Sequence, residues 1–346
     1  MDYMMLGNSG LAVSRLAFGA MTFTNGGKSM ASINKVDQQL ADAMVGSARD
    51  AGVNFFDTAD VYDRGESEVV LGRALAHCRS EVVIATKVGL RTGRPLTQSG
   101  LSRRHILQSL EGSLTRLGTD WIDVYVAHIY DPLTPLEESL AAFDAAVRSG
   151  KVRYIAFSNW PAWAAAAALE KQRSNGWAQF SHGQMHYSLL GRDIERDMIP
   201  MMREYGLGLT VWSPLAFGFL SGRFTRENLK SEGTRFAEND LLPFDKERGF
   251  QLVATMRSLA ERHGATIPQL ALAWLLSKKQ VSSVLLGVTK LAQLEENLAA
   301  MELRLSATDL ATLDQATPLP LVYPYWFFEK FADRPLVAAL GGIARV

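Results

Sequence analysis

The chain has 346 residues, 47% hydrophobic and 21% charged, the proportions of a globular protein with a large core. Lys plus Arg and Asp plus Glu number 36 each, so the formal net charge is zero and the basic excess of a nucleic-acid binder is missing. Cys78 is the one cysteine, which excludes an intramolecular disulfide and a cysteine-ligated metal cluster and suits a reducing, cytoplasmic location. The N-terminus has no basic start followed by a long apolar run, so no signal peptide is expected. No apolar run reaches the ~18 residues of a membrane-spanning helix, so no membrane insertion is expected either.

Residues 1–14 read as a small hairpin turning at Asn8, Ser9 and Gly10, fit to close one end of a barrel. After it one unit recurs: amphipathic helix, glycine, short β-rich run. Strands are expected at Leu16–Phe18, Val53–Phe56, Val82–Thr86, Ile122–Ala127, Val152–Phe157, Ala178–Met185, Gly208–Trp212 and Ser283–Leu286. Gly52, Gly118, Gly150 and Gly206 sit where a helix must end in left-handed backbone. The runs are mostly apolar and do not alternate strictly, as in strands buried on both faces. Between them, Leu136, Leu140, Phe143 and Val147 make one apolar helical stripe, and Leu291, Leu294 and Leu298 another. Eight such strands across about 270 residues predict a single α/β domain over 1–346, a (β/α)8 TIM barrel. An open doubly wound sheet is the alternative; it calls for a GxGxxG turn after the first strand, and none is present. Two segments are too long to be plain connections. They are 215–248 and the aromatic tail 319–346, both expected as long loops at the C-terminal face.

In such a barrel the chemistry lies at the C-terminal ends of the strands. Those ends carry Asp57, Lys87, His128, Ser158 with Asn159, Gln184, Trp212 with Ser213, and Gly287. Each has a plain reading: Asp57 as a turn cap, Lys87 as a solvated lysine, His128 as a structural histidine. Together, at one rim, they make a proton-transfer site. Tyr62 lies five residues past Asp57. A free phenol has a pKa of about 10, and an ammonium from Lys87 is expected to lower it. Asp57 can hold Lys87, and His128 can polarise a carbonyl oxygen placed beside Tyr62. Such a site needs a hydride source.

The stretch Asp57-Thr58-Ala59-Asp60-Val61-Tyr62 followed by Gly65, Ser67, Glu68, Leu71 and Gly72 resembles the signature of the aldo-keto reductase superfamily. Ala85-Thr86-Lys87 and LTRLGTDWIDVYVAH, ending in His128, are similar to its further motifs. The resemblance implies NADP(H)-dependent reduction of small aldehydes and ketones to alcohols. It assigns Tyr62 as general acid/base, Lys87 as its pKa-lowering partner, Asp57 as the group orienting the lysine, and His128 as the substrate-orienting group. For the cofactor it implies Gly19, Met21, Asp57, Ser158, Asn159 and Gln184 near the nicotinamide, with Trp212 stacking on it. Ser213, Pro214, Leu215, Gly218, Gly222 and Arg223 correspond to the pyrophosphate stretch, making 215–248 a cofactor loop. Gly287, Thr289, Lys290, Gln293, Glu296 and Asn297 correspond to the adenosine end, with a helix starting near Lys290 aimed at the 2′-phosphate. Three positions depart from the pattern: Thr289 stands where Arg is frequent, Ala156 and Phe217 where Gly is frequent.

The stretch GLGLTVWSPLAFGFLSGRF also resembles voltage-gated potassium channel β-subunits. That implies an alternative role as a cofactor-binding partner of a membrane protein with little catalysis. A barrel hydrolase built on Asp57 would leave Lys87 and Tyr62 without a role. His77, His105 and His263 are expected at the surface. His182 and His186 share the face of Gln184, and no conventional ligand motif accompanies them, so no metal is expected. The tail, with Tyr323, Tyr325, Trp326, Phe327 and Phe328, is expected to act as a substrate lid. The sequence leaves the oligomeric state open.

Overall fold

The computed structural model describes residues 1–27 and 31–339. Strands β1 (Tyr3–Met5) and β2 (Ala12–Ser14) pair antiparallel, Met4 opposite Val13. Strands β3 (Leu16–Gly19), β4 (Phe55–Asp57), β5 (Val83–Val88), β6 (Ile122–Ala127), β7 (Val152–Ser158), β8 (Phe180–His186), β9 (Gly208–Trp212) and β10 (Val281–Leu286) form a closed parallel barrel. Each pairs with the next, and β10 closes on β3. Helices α1 (Gln38–Asp50), α2 (Glu66–Leu75), α3 (Arg103–Leu117), α4 (Leu136–Arg148), α5 (Ala162–Ser174) and α6 (Met198–Glu204) follow β3 to β8 in turn. The segment between β9 and β10 holds α7 (Arg235–Glu238), α8 (Lys246–Arg262) and α9 (Ile267–Leu276). Beyond β10 come α10 (Leu291–Leu298), α11 (Ala307–Ala316), α12 (Tyr325–Phe331) and α13 (Arg334–Ala339). The fold is thus the expected (β/α)8 barrel with an N-terminal hairpin.

A strand sends alternate side chains to opposite faces, and here both faces are covered. The larger core lies between strands and helices, where Tyr125, Phe143, Phe157 and Trp274 are fully buried. The smaller core fills the barrel: Ala17, Phe55, Ala85, Val124 and Ala156 pack there against Leu6 and Val13 of the hairpin. Leu6 has no exposed surface, so the hairpin seals the barrel floor. Gly7 makes that approach possible. Its φ is 62°, and a Cβ on it would stand 2.3 Å from the Ser181 carbonyl oxygen and 2.5 Å from the Gly208 nitrogen. The helix-ending glycines 52, 118, 150 and 206 all have positive φ, as their placement required.

Two strands start two residues later than the residue types suggest. Val53 donates its N–H to Ala48 O (2.9 Å), closing the end of α1, so β4 begins at Phe55. Ala178 donates its N–H to the Asp144 carboxylate (2.9 Å), so β8 begins at Phe180. The tail is helical and lies on the surface; residues 340–346 of it fall outside the described residues. Tyr325 donates to Asp197 and to Arg196 O, pinning α12 to the turn after β8. Tyr323, Trp326, Phe327, Phe328 and Phe331 are 41–72% exposed.

Gly7→Ala should lower the unfolding free energy by at least about 1–2 kcal/mol, the cost of a side chain in left-handed backbone, before the contacts with Ser181 and Gly208 are counted. Urea denaturation at unchanged m-value measures it. A variant as stable as the parent would show that the hairpin does not close the floor.

Candidate active site

The parallel register brings the strand ends to one level. Gly19 lies opposite Asp57, Ser158 opposite Gln184, and His186 opposite Trp212. Lys87, on β5, has no exposed surface. Its Nζ donates to Asp57 Oδ1 (2.5 Å), to Thr58 O (2.6 Å) and to the Tyr62 hydroxyl (3.3 Å). Gln184 Nε2 donates to the other Asp57 oxygen at 2.8 Å. Burial works against the Lys87 charge, but Asp57 and Tyr62 outweigh it and hold the ammonium above its ordinary pKa.

Tyr62 heads a short turn after β4, with its hydroxyl against Lys87 and its ring 5.8 Å from the His128 ring, edge to face. The sequence predicts a lowered phenol pKa. The structure shows the opposite: burial pushes the phenol above its ordinary value, Lys87 pulls it down, and the Asp57 charge opposes Lys87. The ammonium is already compensated at 2.5 Å, so its pull on the phenol is diluted. His128 is 8% exposed; burial, reinforced by Lys87, holds its pKa well below the ordinary value, so the ring is neutral at pH 7. Its Nδ1 is buried without a hydrogen-bond partner among the described residues.

Around this centre, Asn159 Nδ2 donates to His128 O (3.0 Å) and Ser158 Oγ (2.9 Å), and Trp212 Nε1 donates to Asn159 Oδ1 (3.0 Å). The backbone after β9 is unusual. Ser213, Ala216, Phe217, Gly218 and Gly222 all have positive φ, between 47° and 86°. Ser213 Oγ accepts from Phe217 N at 2.9 Å and holds the turn. Left-handed backbone is the conformation that glycine adopts freely, and at position 217 a phenylalanine bears its steric cost. The N–H groups of Ala216, Gly218, Leu220 and Gly222 are also bound to carbonyls within the turn, so its backbone is held by its own hydrogen bonds. Gly287, just past β10, has open space where a side chain would stand.

Arg223, Arg235 and Arg257, whose guanidinium donates to Gly222 O at 3.3 Å, lie against this turn, and Lys290 precedes α10; none of the four has an ion-pair partner among the described residues. Helix α10 begins directly after Lys290, as expected, and the lysine side chain makes no capping hydrogen bond. Gln293 Oε1 accepts from Thr289 N (3.1 Å), so that side chain is engaged within the loop; Glu296 meets Gln269 through its carbonyl, and Asn297 is buried. Sequence reasoning does not single out Arg235. It returns from the far end of the 215–248 loop to lie 3.7 Å over the Phe217 ring and 3.8 Å from Met21 Sδ. Burial pushes its pKa down to about 10, opposed by Tyr62. One basic residue among several in a long loop carries no sequence signal of its own. Pro214 and Leu215 lie in the same turn, where Leu215 O accepts from Gly218 N at 2.9 Å.

Other expectations fall differently. His105 is buried, not at the surface: its Nδ1 donates to Gly100 O at 2.9 Å and fixes the loop before α3. His182 lies inside the barrel, and His186 packs 4.9 Å from the Trp212 ring. Among the described residues no group of three or more His, Cys, Asp or Glu is arranged to hold a metal, and no helix is long and apolar enough to cross a membrane.

The profile of the aldo/keto reductase family matches residues 15–318. The chain is 37% identical to a probable voltage-gated potassium channel subunit beta of Oryza sativa, over 87% of this chain and 92% of that protein. It is 37% identical to the uncharacterized oxidoreductase YrpG of Bacillus subtilis, over 92% and 97%. It is 32% identical to probable aldo-keto reductase 1 of Glycine max, over 91% and 88%.

Removing one member of the buried pair strands the other. Asp57→Asn or Lys87→Met should each cost about 3–5 kcal/mol of stability, and the double variant should cost less than the sum. Chemical denaturation of the four proteins measures the coupling. Additive losses would show that the two charges do not depend on each other.

Proposed function

We propose that this chain, which belongs to the aldo/keto reductase family, moves hydride between NADP(H) and a small aldehyde or ketone, or its alcohol, with Tyr62 as proton donor and acceptor. The observation that carries the reading is the Tyr62 hydroxyl, 3.3 Å from a buried ammonium and beside a neutral imidazole. The residues present suit the cofactor. Arg223 and Arg235 in the segment after β9, with Lys290 at the start of α10, supply cations for a ligand with several phosphate charges. When bound, the nicotinamide supplies the hydride. Lys290 at the start of α10 supports preference for the additional phosphate of NADPH.

Within this reading the chain's own groups divide the work. Tyr62 gives its proton to the carbonyl oxygen. Lys87 stabilises the phenolate left behind, and Asp57 keeps Lys87 charged and in place. His128, uncharged, orients the carbonyl oxygen without competing for the proton. Asn159, held to His128 O and Trp212, fixes the wall against which the nicotinamide would lie. The likeness to proteins named voltage-gated potassium channel subunit beta supports a second reading, a cofactor-binding partner of a membrane protein with slow turnover. NADPH consumption with a reactive test aldehyde separates the two.

Tyr62→Phe should fold and bind NADPH but lose roughly 10²- to 10⁴-fold in carbonyl reduction. Because the phenol lies above its ordinary pKa, reduction should stay level through neutral pH and fall only in alkali. Alcohol oxidation should keep rising with pH, and Lys87→Met should move that rise higher still. A plateau in oxidation near neutral pH would contradict the balance of burial over Lys87. Near-normal reduction by folded, NADPH-bound Tyr62→Phe would refute the proton-donor role.

For the cofactor, Arg235→Met should weaken NADPH and NADH alike, whereas Lys290→Met should weaken NADPH alone. Fluorescence titration of both cofactors reads the split. Equal binding of NADH and NADPH by the parent protein would remove Lys290 from the phosphate site.

A further inference from the structure

The three residues after Tyr62 are all left-handed: Asp63 (φ 44°), Arg64 (φ 58°) and Gly65 (φ 93°). Glycine adopts this backbone freely; Asp63 and Arg64 do not, so the turn must be held from outside. Tyr62 needs that hold. Among the described residues its hydroxyl makes one side-chain hydrogen bond, a long one to Lys87, so the backbone decides where the ring stands.

Asp63 supplies the hold. It is 5% exposed, and its Oδ2 accepts from Thr24 Oγ1 at 2.5 Å, between segments 39 residues apart. The carboxylate lies flat against Gly27, where a Cβ would stand 2.3 Å from Oδ2. Thr24 is itself fixed to the barrel rim. Its N–H donates to Val36 O (2.9 Å), Val36 N–H donates to Thr22 O (3.1 Å), and the Thr22 hydroxyl donates to Val288 O beyond β10 (2.8 Å). A continuous line of hydrogen bonds thus runs from the end of β10 to the residue next to Tyr62.

Resting on the reading of Tyr62 as proton donor, we propose that Asp63 is a positioning residue: its bond to Thr24 holds the left-handed turn that sets the Tyr62 hydroxyl against Lys87. Asp63→Ala removes the acceptor and leaves a Cβ in left-handed backbone. Asp63→Gly removes the acceptor but relaxes the backbone. Asp63→Asn keeps an acceptor oxygen and a side chain that tolerates the conformation. Thr24→Val removes the Thr24 hydroxyl from the Asp63 carboxylate and leaves Asp63 itself unchanged.

A fluorotyrosine placed at position 62 reports the ring by fluorine NMR in the protein without cofactor, and kcat and the NADPH Kd are measured beside it. We expect Asp63→Ala, Asp63→Gly and Thr24→Val each to shift or broaden the resonance. Each should lower kcat roughly 10- to 100-fold, as expected for a misplaced reacting group, with NADPH Kd nearly unchanged. Asp63→Asn should restore both, and Thr24→Val should add little to Asp63→Ala. An unmoved resonance with parental kcat in Asp63→Ala overturns the proposal. So does a kcat loss that tracks weaker NADPH binding, or full additivity of the two changes, since either makes Asp63 a loop anchor only. Should Asp63→Ala fail to fold, Thr24→Val decides the question in its place. If Tyr62→Phe retains full turnover, the proton-donor reading fails, while the fluorine resonance still decides whether Asp63 places the ring.

Discussion

An ammonium with no exposed surface is the constraint on which the site depends. Taking Lys87 out of water costs several kcal/mol unless charge and hydrogen bonds are returned to it. The neighbouring strand returns them through Asp57 Oδ1 and Thr58 O, and Gln184 completes the second Asp57 oxygen from across the barrel. This fixes more than the lysine. It requires β4 and β5 in the observed register, with Asp57 beside Ala85, and a barrel closed tightly enough for β8 to reach β4. A hydrophobic filling of the same volume would stabilise such a barrel at least as well. The pair is therefore better explained by what Lys87 does to Tyr62 than by stability.

The charges divide into two zones. Inside, ammonium and carboxylate nearly cancel, so burial governs the neighbouring groups: the phenol stays protonated and His128 stays neutral. Outside, along the turn after β9 and at the start of α10, Arg223, Arg235 and Lys290 are not cancelled by any carboxylate among the described residues. Arg235 is even held below its ordinary pKa by burial, a cost that an anionic ligand would relieve. The inner zone suits proton exchange with an uncharged group, and the outer zone suits phosphates.

The barrel and the clustering of Asp57, Tyr62, Lys87 and His128 are legible in the sequence because each leaves a local mark: helix, glycine, apolar run, polar end. What stays illegible depends on position, not residue type. Val53 and Ala178 have strand-like surroundings, yet their N–H groups are claimed by a helix end and by Asp144. His105 reads as a helix-surface residue until its Gly100 contact is seen. The direction of the Tyr62 shift follows from burial and from the Asp57 charge, and neither can be counted along the chain. Phe217 reads as a plain departure because a backbone dihedral leaves no trace in a phenylalanine.

The loops supply what the strands cannot. Strand ends fix Asp57, Lys87 and Gln184 through sheet register, but Tyr62, Met21 and Arg235 all lie on connections. Those connections are bound to one another. Thr24 binds Asp63 beside Tyr62, Ser32 donates its N–H to Glu238 of α7 (2.9 Å), and Arg235 of the same helix reaches Met21. The segment after β3 therefore binds both the residue next to Tyr62 and the helix that carries the Arg235 guanidinium. Sheet register therefore places one half of the cluster, and contacts between connections place the other half.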